Sequence, residues 1–241
     1  MEEYREFEFC RGKLRFVQPK HHRLSIIEIL FVANLLGIKR KHKIADLGAG
    51  FGTLSIFTTL LYGCKVWAVE RDKTMLELLR HNIKLNNLED MVKVVEGDVR
   101  QIEQVMDRGV FDGVIINPPF YPKGAYVSNP YHHEKDTSLR DFIKAGSYLL
   151  KDGRGINLLI SSDRVFEAFY LLEKENTGVK SVRFFYPKLD KNSKVVRIYG
   201  VKNSKPSPLI EKPLIINEGD GKYTKEVLYC LDKICGIINK V

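Results

Sequence analysis

Asn117-Pro118-Pro119-Phe120 is the stretch of this chain best suited to chemistry. Consecutive prolines cannot donate to a sheet ladder, so the apolar run 111–116 before them must stop there as a strand. An amide side chain, a backbone carbonyl with no competing N–H behind it and an aromatic ring are left at the strand end. Two hydrogen-bond acceptors beside a stacking surface suit a planar group that carries an NH2, such as adenine, cytosine or a glutamine amide. The bland alternatives are a turn asparagine before proline and a core phenylalanine.

A second constellation lies upstream. An apolar strand start runs into Asp46-Leu47-Gly48-Ala49-Gly50-Phe51-Gly52, and a helical pattern follows. Strand, glycine turn and helix let backbone pass close to a ligand at a helix N-terminus. The spacing is G-x-G-x-G, whereas pyrophosphate-binding dinucleotide folds use G-x-G-x-x-G. The next apolar strand ends in Glu70, twenty residues after Gly50. A carboxylate there is placed to accept both hydroxyls of a ribose and to repel a 2′-phosphate. The competing readings are a nicotinamide-dinucleotide domain and a nucleoside-binding fold without turnover.

These residues need a scaffold that brings strand ends together. Periodicity predicts a helix over 24–36, strand 43–47, helix 53–62, strand 65–69, helix 73–86, strand 92–96, a short helix near 102–106 and strand 112–116. A helix over 138–150, strand 156–160, helix 164–175 and two β-rich runs, 179–186 and 194–201, follow. Alternating β and α elements imply an α/β fold, a mainly parallel sheet covered on both faces with one antiparallel edge strand. Gly48–Gly52, Glu70, Asp98 and Asn117 all fall at predicted carboxyl ends, where such sheets bind ligands. Residues 1–23 read as a short β-rich cover, 24–202 as the main domain, and 203–241 as a proline-bearing extension ending in a helix packed on the same domain.

At this point the chain resembles the class I S-adenosylmethionine-dependent methyltransferases. Asp46 to Gly52, then Glu70, then Gly97-Asp98-Val99, then N-P-P-F stand in that group's order. The resemblance implies a seven-stranded Rossmann-like fold. It also implies that Asp46, Gly48, Gly50 and Gly52 cradle the methionine part of the cofactor, that Glu70 holds the ribose, and that Asp98 accepts from the adenine amine with Val99 nearby. The acceptor would be an amine. Asn117 Oδ1 and the Pro118 carbonyl would take its two N–H bonds, bias the nitrogen toward tetrahedral geometry and stabilise the charge that develops on it. Phe120 would stack on the base, with Tyr121 flanking it.

Over nearly its whole length the chain looks like the bacterial tRNA adenine-N6 methyltransferases that modify the adenosine beside the anticodon of a valine tRNA. Gln18-Pro19, Arg23-Leu24-Ser25, His133-Glu134, Lys212-Pro213-Leu214-Ile215-Ile216 and Gly221-Lys222-Tyr223-Thr224 carry that likeness. It implies substrate contacts at Arg23, Tyr121, His133 and Glu134, with the last two orienting the loop over the substrate. There are departures. That family commonly has an aspartate shortly after the Arg-x-Ser element, where Ile27 stands here with Glu28 one place later. Tyr131-His132 replaces a small-then-basic pair.

Composition fits an RNA partner. The 241 residues carry 39 basic and 30 acidic side chains, a net charge of +9, and a basic surface favours a polyanion. Lys39-Arg40-Lys41-His42-Lys43 is the densest run, with Arg11, Lys13, Arg15, Lys20 and Arg23 also basic. A lysine-rich soluble surface is the plain alternative. No apolar run reaches the roughly 18 residues of a membrane helix. The scattered cysteines read as reduced thiols of a cytoplasmic protein, and no metal site is expected. Two other functions stay open. One is methylation of a protein glutamine amide, whose enzymes usually show Tyr after the prolines. The other is a binding module without catalysis. Nothing in the sequence sets the oligomeric state.

Overall fold

The computed structural model describes residues 4–20, 23–118 and 137–238. Strands β1 (Tyr4–Phe9) and β2 (Leu14–Pro19) pair as an antiparallel hairpin. Helix α1 (Ile26–Ala33) leads into β3 (Lys43–Leu47), α2 (Thr53–Tyr62), β4 (Lys65–Glu70), α3 (Lys73–Leu85), β5 (Val92–Glu96) and β6 (Phe111–Ile116). After α4 (Leu139–Leu149) come β7 (Leu150–Ser161), α5 (Val165–Lys174), β8 (Thr177–Tyr186), β9 (Val195–Lys202), β10 (Leu209–Ile210), β11 (Leu214–Ile215) and α6 (Lys225–Ile238).

The main sheet runs β8-β9-β7-β6-β3-β4-β5. Strand β9 is antiparallel to both its neighbours and the other six are parallel. The seven-stranded α/β sheet expected from the motifs is therefore present. Its antiparallel member lies one place in from the edge, because the short connection after β8 returns the chain between β8 and β7. Two-residue strands β10 and β11 add to the outside of β8 and bring the sheet to nine.

The parallel strands are apolar on both faces, as a doubly covered sheet requires. Ile44, Val66, Ala68, Ile115 and Leu159 face one core, shared with α1, α2, α3 and α6. Ala45, Leu47, Val69, Val114, Ile116 and Leu158 face the other, beneath α4 and α5. Strand order reverses between β3 and β6, the switch point at whose carboxyl ends sheets of this kind form a ligand crevice.

Polar clamps fix the parts that frame this crevice. Buried Asn82 on α3 donates to the carbonyls of Val17 and Phe51, each at 2.9 Å, and accepts from Val17 N at 2.7 Å. One side chain thus joins the hairpin, α3 and the glycine loop. At the far edge, buried Arg197 on β9 reaches Glu211 at 2.5 Å. Arg183 on β8 reaches Glu226 at 2.5 Å. These pairs hold the chain after β9 and helix α6 against the sheet.

Cys10 and Cys235, 225 positions apart in sequence, are joined in a disulfide. This corrects the expectation that every cysteine is a free thiol; Cys64 and Cys230 are free. The hairpin turn and α6 come from opposite ends of the chain, pack beside one core and bring the two sulfurs together, a proximity with no local sequence signal. A bridge over so long a loop removes much freedom from the unfolded chain. Cys235→Ser is expected to lower the unfolding free energy by about 2–4 kcal/mol, read from denaturant midpoints with and without reductant. Equal midpoints for the two proteins under oxidising conditions would show the bridge to be idle.

Candidate active site

The turn after β3 is built for close backbone approach. Gly48, Gly50 and Gly52 all have positive φ, at 75°, 55° and 99°, where a side chain is strained. A Cβ on Gly52 would also lie 2.6 Å from Leu79, whereas one on Gly50 would meet nothing within 4 Å. The loop is therefore tight beneath and open above. Gly52 caps α2 with no side-chain bond, so the N–H groups of the first turn stay available to a ligand. Gly48 N and Ala49 N both donate to the Val69 carbonyl, at 2.9 and 3.0 Å, and tie the loop to β4.

Glu70 closes this loop from the side. Its Oε2 accepts from Gly50 N at 2.8 Å. Its Oε1 accepts from Arg71 N at 2.8 Å and Asp72 N at 2.9 Å. The residue expected to meet a ribose thus also links the glycine loop to the turn that starts α3. A carboxylate has about four acceptor positions, so capacity for a ligand hydroxyl remains.

Asp46 lies beneath the loop, fully buried. Its Oδ2 accepts from Ser55 Oγ at 2.6 Å, and its Oδ1 has no partner among the described residues. Burial, opposed by the Ser55 bond and reinforced by the charges of Glu70 and Glu28, pushes its pKa up to about 7. Burial does the same to Glu28, also to about 7. Both carboxyls keep a proton in the folded chain over a pH range in which the unfolded chain has lost it. Stability from this source is full below the ordinary carboxylate range and is lost as pH rises toward 7. Without cofactor, the denaturant midpoint is expected to fall between about pH 4 and 7, and to fall less in Asp46→Asn. An equal fall in both proteins would contradict the assignment.

Asp98 follows β5. Its carboxylate accepts from Arg100 N at 2.9 Å and pairs with Arg100 Nη2 at 2.6 Å and Arg71 Nη1 at 3.1 Å. The Arg100 hydrogen bond, with Arg71 adding to it, holds the carboxyl well below the usual range. Asp98 is thus an ionised acceptor flanked by two guanidinium groups. Val99 beside it is buried.

Asn117 and buried Pro118 follow β6 directly. Asn117 Nδ2 faces Glu28 Oε1 at 3.4 Å, while its Oδ1 is buried and has no partner among the described residues. Pro119, Phe120, Tyr121, His133 and Glu134 lie outside the described residues. Arg23 is exposed just before α1 and donates to the Lys20 carbonyl at 2.9 Å. The sheet order places Asn117, the glycine loop, Glu70 and Asp98 side by side along one carboxyl edge. Among the described residues no group of three or more His, Cys, Asp or Glu is placed to hold a metal ion.

Glu28, which motif reading notes only as a departure one place beyond the family's aspartate, lies beside Asn117 in this site. Its local signal is Ser25-Ile26-Ile27-Glu28, a capping box that starts α1. Structure also separates the basic residues. The run 39–43 lies at the amino end of β3, the end of the sheet opposite Asn117. There Asp112 accepts from Lys43 N at 3.0 Å and pairs with Lys151 at 2.8 Å.

The glycine cradle, the Glu70 carboxylate and the Asn117 amide stand side by side on the sheet order of a methyltransferase fold. The chain's family can also be stated. The methyltransferase small domain pattern matches residues 27–182, well over half of the chain, and the chain belongs to that family. It is 30% identical to a tRNA1(Val) (adenine(37)-N6)-methyltransferase of Shewanella putrefaciens over 83 residues, 34% of this chain and 35% of that one. That match thus spans only about a third of the relative's length. It is 24% identical to a protein of the same description from Shewanella sediminis over 203 residues, 76% of this chain and 80% of that one. Among solved structures it is similar to a predicted O-methyltransferase from Agrobacterium tumefaciens, with a TM-score of 0.72 at 22% identity over 86% of this chain and 96% of that one. That likeness concerns the fold alone.

Proposed function

We propose that this protein methylates the exocyclic amine of adenine in RNA, with tRNA as the first substrate to test. The observation that carries the reading is the buried Asn117 Oδ1, an acceptor without a partner among the described residues. A buried acceptor left unmatched costs about 1–3 kcal/mol, and an N–H from the substrate would recover that cost. Two relatives described as tRNA adenine-N6 methyltransferases support the choice of base and polymer, and the net charge of +9 suits a polyanion.

When bound, S-adenosylmethionine supplies an electrophilic methyl group on a sulfonium. The chain's own residues do the rest. Gly48, Gly50 and Gly52 offer backbone to the methionine part, and Glu70 accepts from the ribose. Asp98 accepts from the cofactor's adenine amine beside Val99. Asn117 Oδ1 and the Pro118 carbonyl accept the two N–H bonds of the target amine. They pull its lone pair out of conjugation and meet the positive charge that grows on nitrogen. No strong base is needed before attack, because the proton leaves a cationic nitrogen. Phe120 would stack on the base with Tyr121 flanking it, and Arg23, His133 and Glu134 would contact the RNA around it. The protein works in the cytoplasm, where tRNA is modified. The Cys10–Cys235 disulfide is unusual for that compartment, where thiols are kept reduced outside hyperthermophiles.

The purified protein, given labelled S-adenosylmethionine and cell extract, is expected to label RNA and to leave DNA and protein unlabelled. Label in protein would move the acceptor to a glutamine amide, which the same pair of acceptors would fit. No label in any polymer would leave a binding module.

A further inference from the structure

We propose that Glu28 sets the orientation of the Asn117 amide, and so acts as a positioning residue for methyl transfer. This rests on the reading of Asn117 as the acceptor for the target amine. An asparagine amide can turn over end for end at little steric cost, and only one orientation presents oxygen to a substrate N–H. Something nearby has to choose between them. The Pro118 peptide cannot, because its carbonyl is itself needed as an acceptor.

Glu28 has the polarity to choose. Its Oε2 accepts from Ser25 N at 2.9 Å, and Ser25 Oγ accepts from Glu28 N at 3.3 Å. This capping box locks the carboxylate to the first turn of α1, whose buried face is Ile29, Leu30, Phe31 and Val32. The other oxygen, Oε1, faces Asn117 Nδ2 at 3.4 Å. At that length the bond is weak, but its sign is decisive. Above about pH 7, where Glu28 has lost its proton, turning the amide over would set Asn117 Oδ1 against a carboxylate oxygen, acceptor against acceptor. The amide oxygen is therefore directed away from α1, and it is the atom that has no partner among the described residues. The helix that follows the N-terminal hairpin thereby decides what the strand end after β6 offers to substrate.

The same logic selects the test. In Glu28→Gln the side chain keeps its shape but owns one oxygen. That oxygen is needed by Ser25 N, so the NH2 turns toward Asn117, donor against donor, and the preferred amide orientation reverses. Assayed at about pH 8, where Glu28 is ionised, Glu28→Gln is expected to lower kcat about 10–100-fold, with the affinity for S-adenosylmethionine and the KM for RNA each within about threefold. Glu28→Asp keeps two acceptor oxygens and is expected to recover part of the loss. In an Asn117→Ala background, Glu28→Gln is expected to add nothing, since a residue that acts only through Asn117 has nothing left to orient. A merely structural role for Glu28 would instead show as lowered thermal stability and weakened cofactor binding, with losses that add to those of Asn117→Ala.

Wild-type turnover in Glu28→Gln, alongside an inactive Asn117→Ala, would overturn the proposal and leave the function standing. A fully active Asn117→Ala would overturn the function itself. Additive losses would also overturn the proposal, because they place the effect of Glu28 elsewhere in the site.

Discussion

Asn117→Ala is expected to reduce kcat by about 10²–10³ while the affinity for S-adenosylmethionine, read by calorimetry, stays within about threefold. The size follows from what the amide does. A poorly nucleophilic nitrogen needs its lone pair freed and its developing charge met, and both demands peak in the transition state. An interaction made mainly there is lost from kcat, not from ground-state binding. The cofactor should be spared because Asn117 shares no hydrogen bond with the glycine loop or Glu70. Its side chain reaches only Glu28 among the described residues. Loss of cofactor binding together with activity would instead make Asn117 a structural post for the crevice.

The second large effect is the reverse. Glu70→Ala is expected to weaken S-adenosylmethionine about a hundredfold, because hydrogen bonds to a charged group are worth about 1.5–3 kcal/mol each. The mutation removes the ribose acceptor, and it also frees the N–H groups of Gly50, Arg71 and Asp72 that the carboxylate now holds. Untying Gly50 loosens the cradle itself. Glu70→Gln keeps one acceptor oxygen and is expected to fall between wild type and alanine. At saturating cofactor, Glu70→Ala should regain most of its turnover, since the residue touches no part of the amine acceptor. Unchanged affinity in the alanine variant would refute the ribose assignment. A kcat that stays low at saturation would show that the loop's shape also governs the transfer step.

Local pattern reveals much of this architecture. Apolar runs that end in Gly48, Glu70 and Asn117 mark strand ends because strands are short and their stop signals lie in the chain. The parallel sheet follows from the alternation of those runs with helical periods. Strands β10 and β11 escape because two apolar residues carry no period. The inward place of β9 depends on how the chain returns after β8, which residue spacing does not encode. Glu28 escapes as a site member for a different reason. Its partner Asn117 is 89 residues away, and a capping box reads as helix chemistry unless the neighbouring strand end is known. Asn82 and the Cys10–Cys235 bridge likewise depend on packing between distant segments. The run 39–43 shows the opposite failure. A conspicuous charge pattern is visible in sequence, but its place at the amino end of β3 separates it from the crevice, leaving Lys20 and Arg23 as the basic residues just ahead of α1. How far RNA binding depends on each group is accessible through charge-reversal variants of Arg23 and of Lys41.

The central claim is tested most directly by nucleoside analysis of total tRNA from cells with and without the gene for this protein. Hydrolysates are separated and quantified by mass spectrometry, and fragments are mapped to position. The account predicts that one N6-methyladenosine site is lost with the protein and restored by the wild-type protein but not by Asn117→Ala. An unchanged tRNA profile, with a methylated glutamine disappearing from protein digests of the same cells, would contradict it.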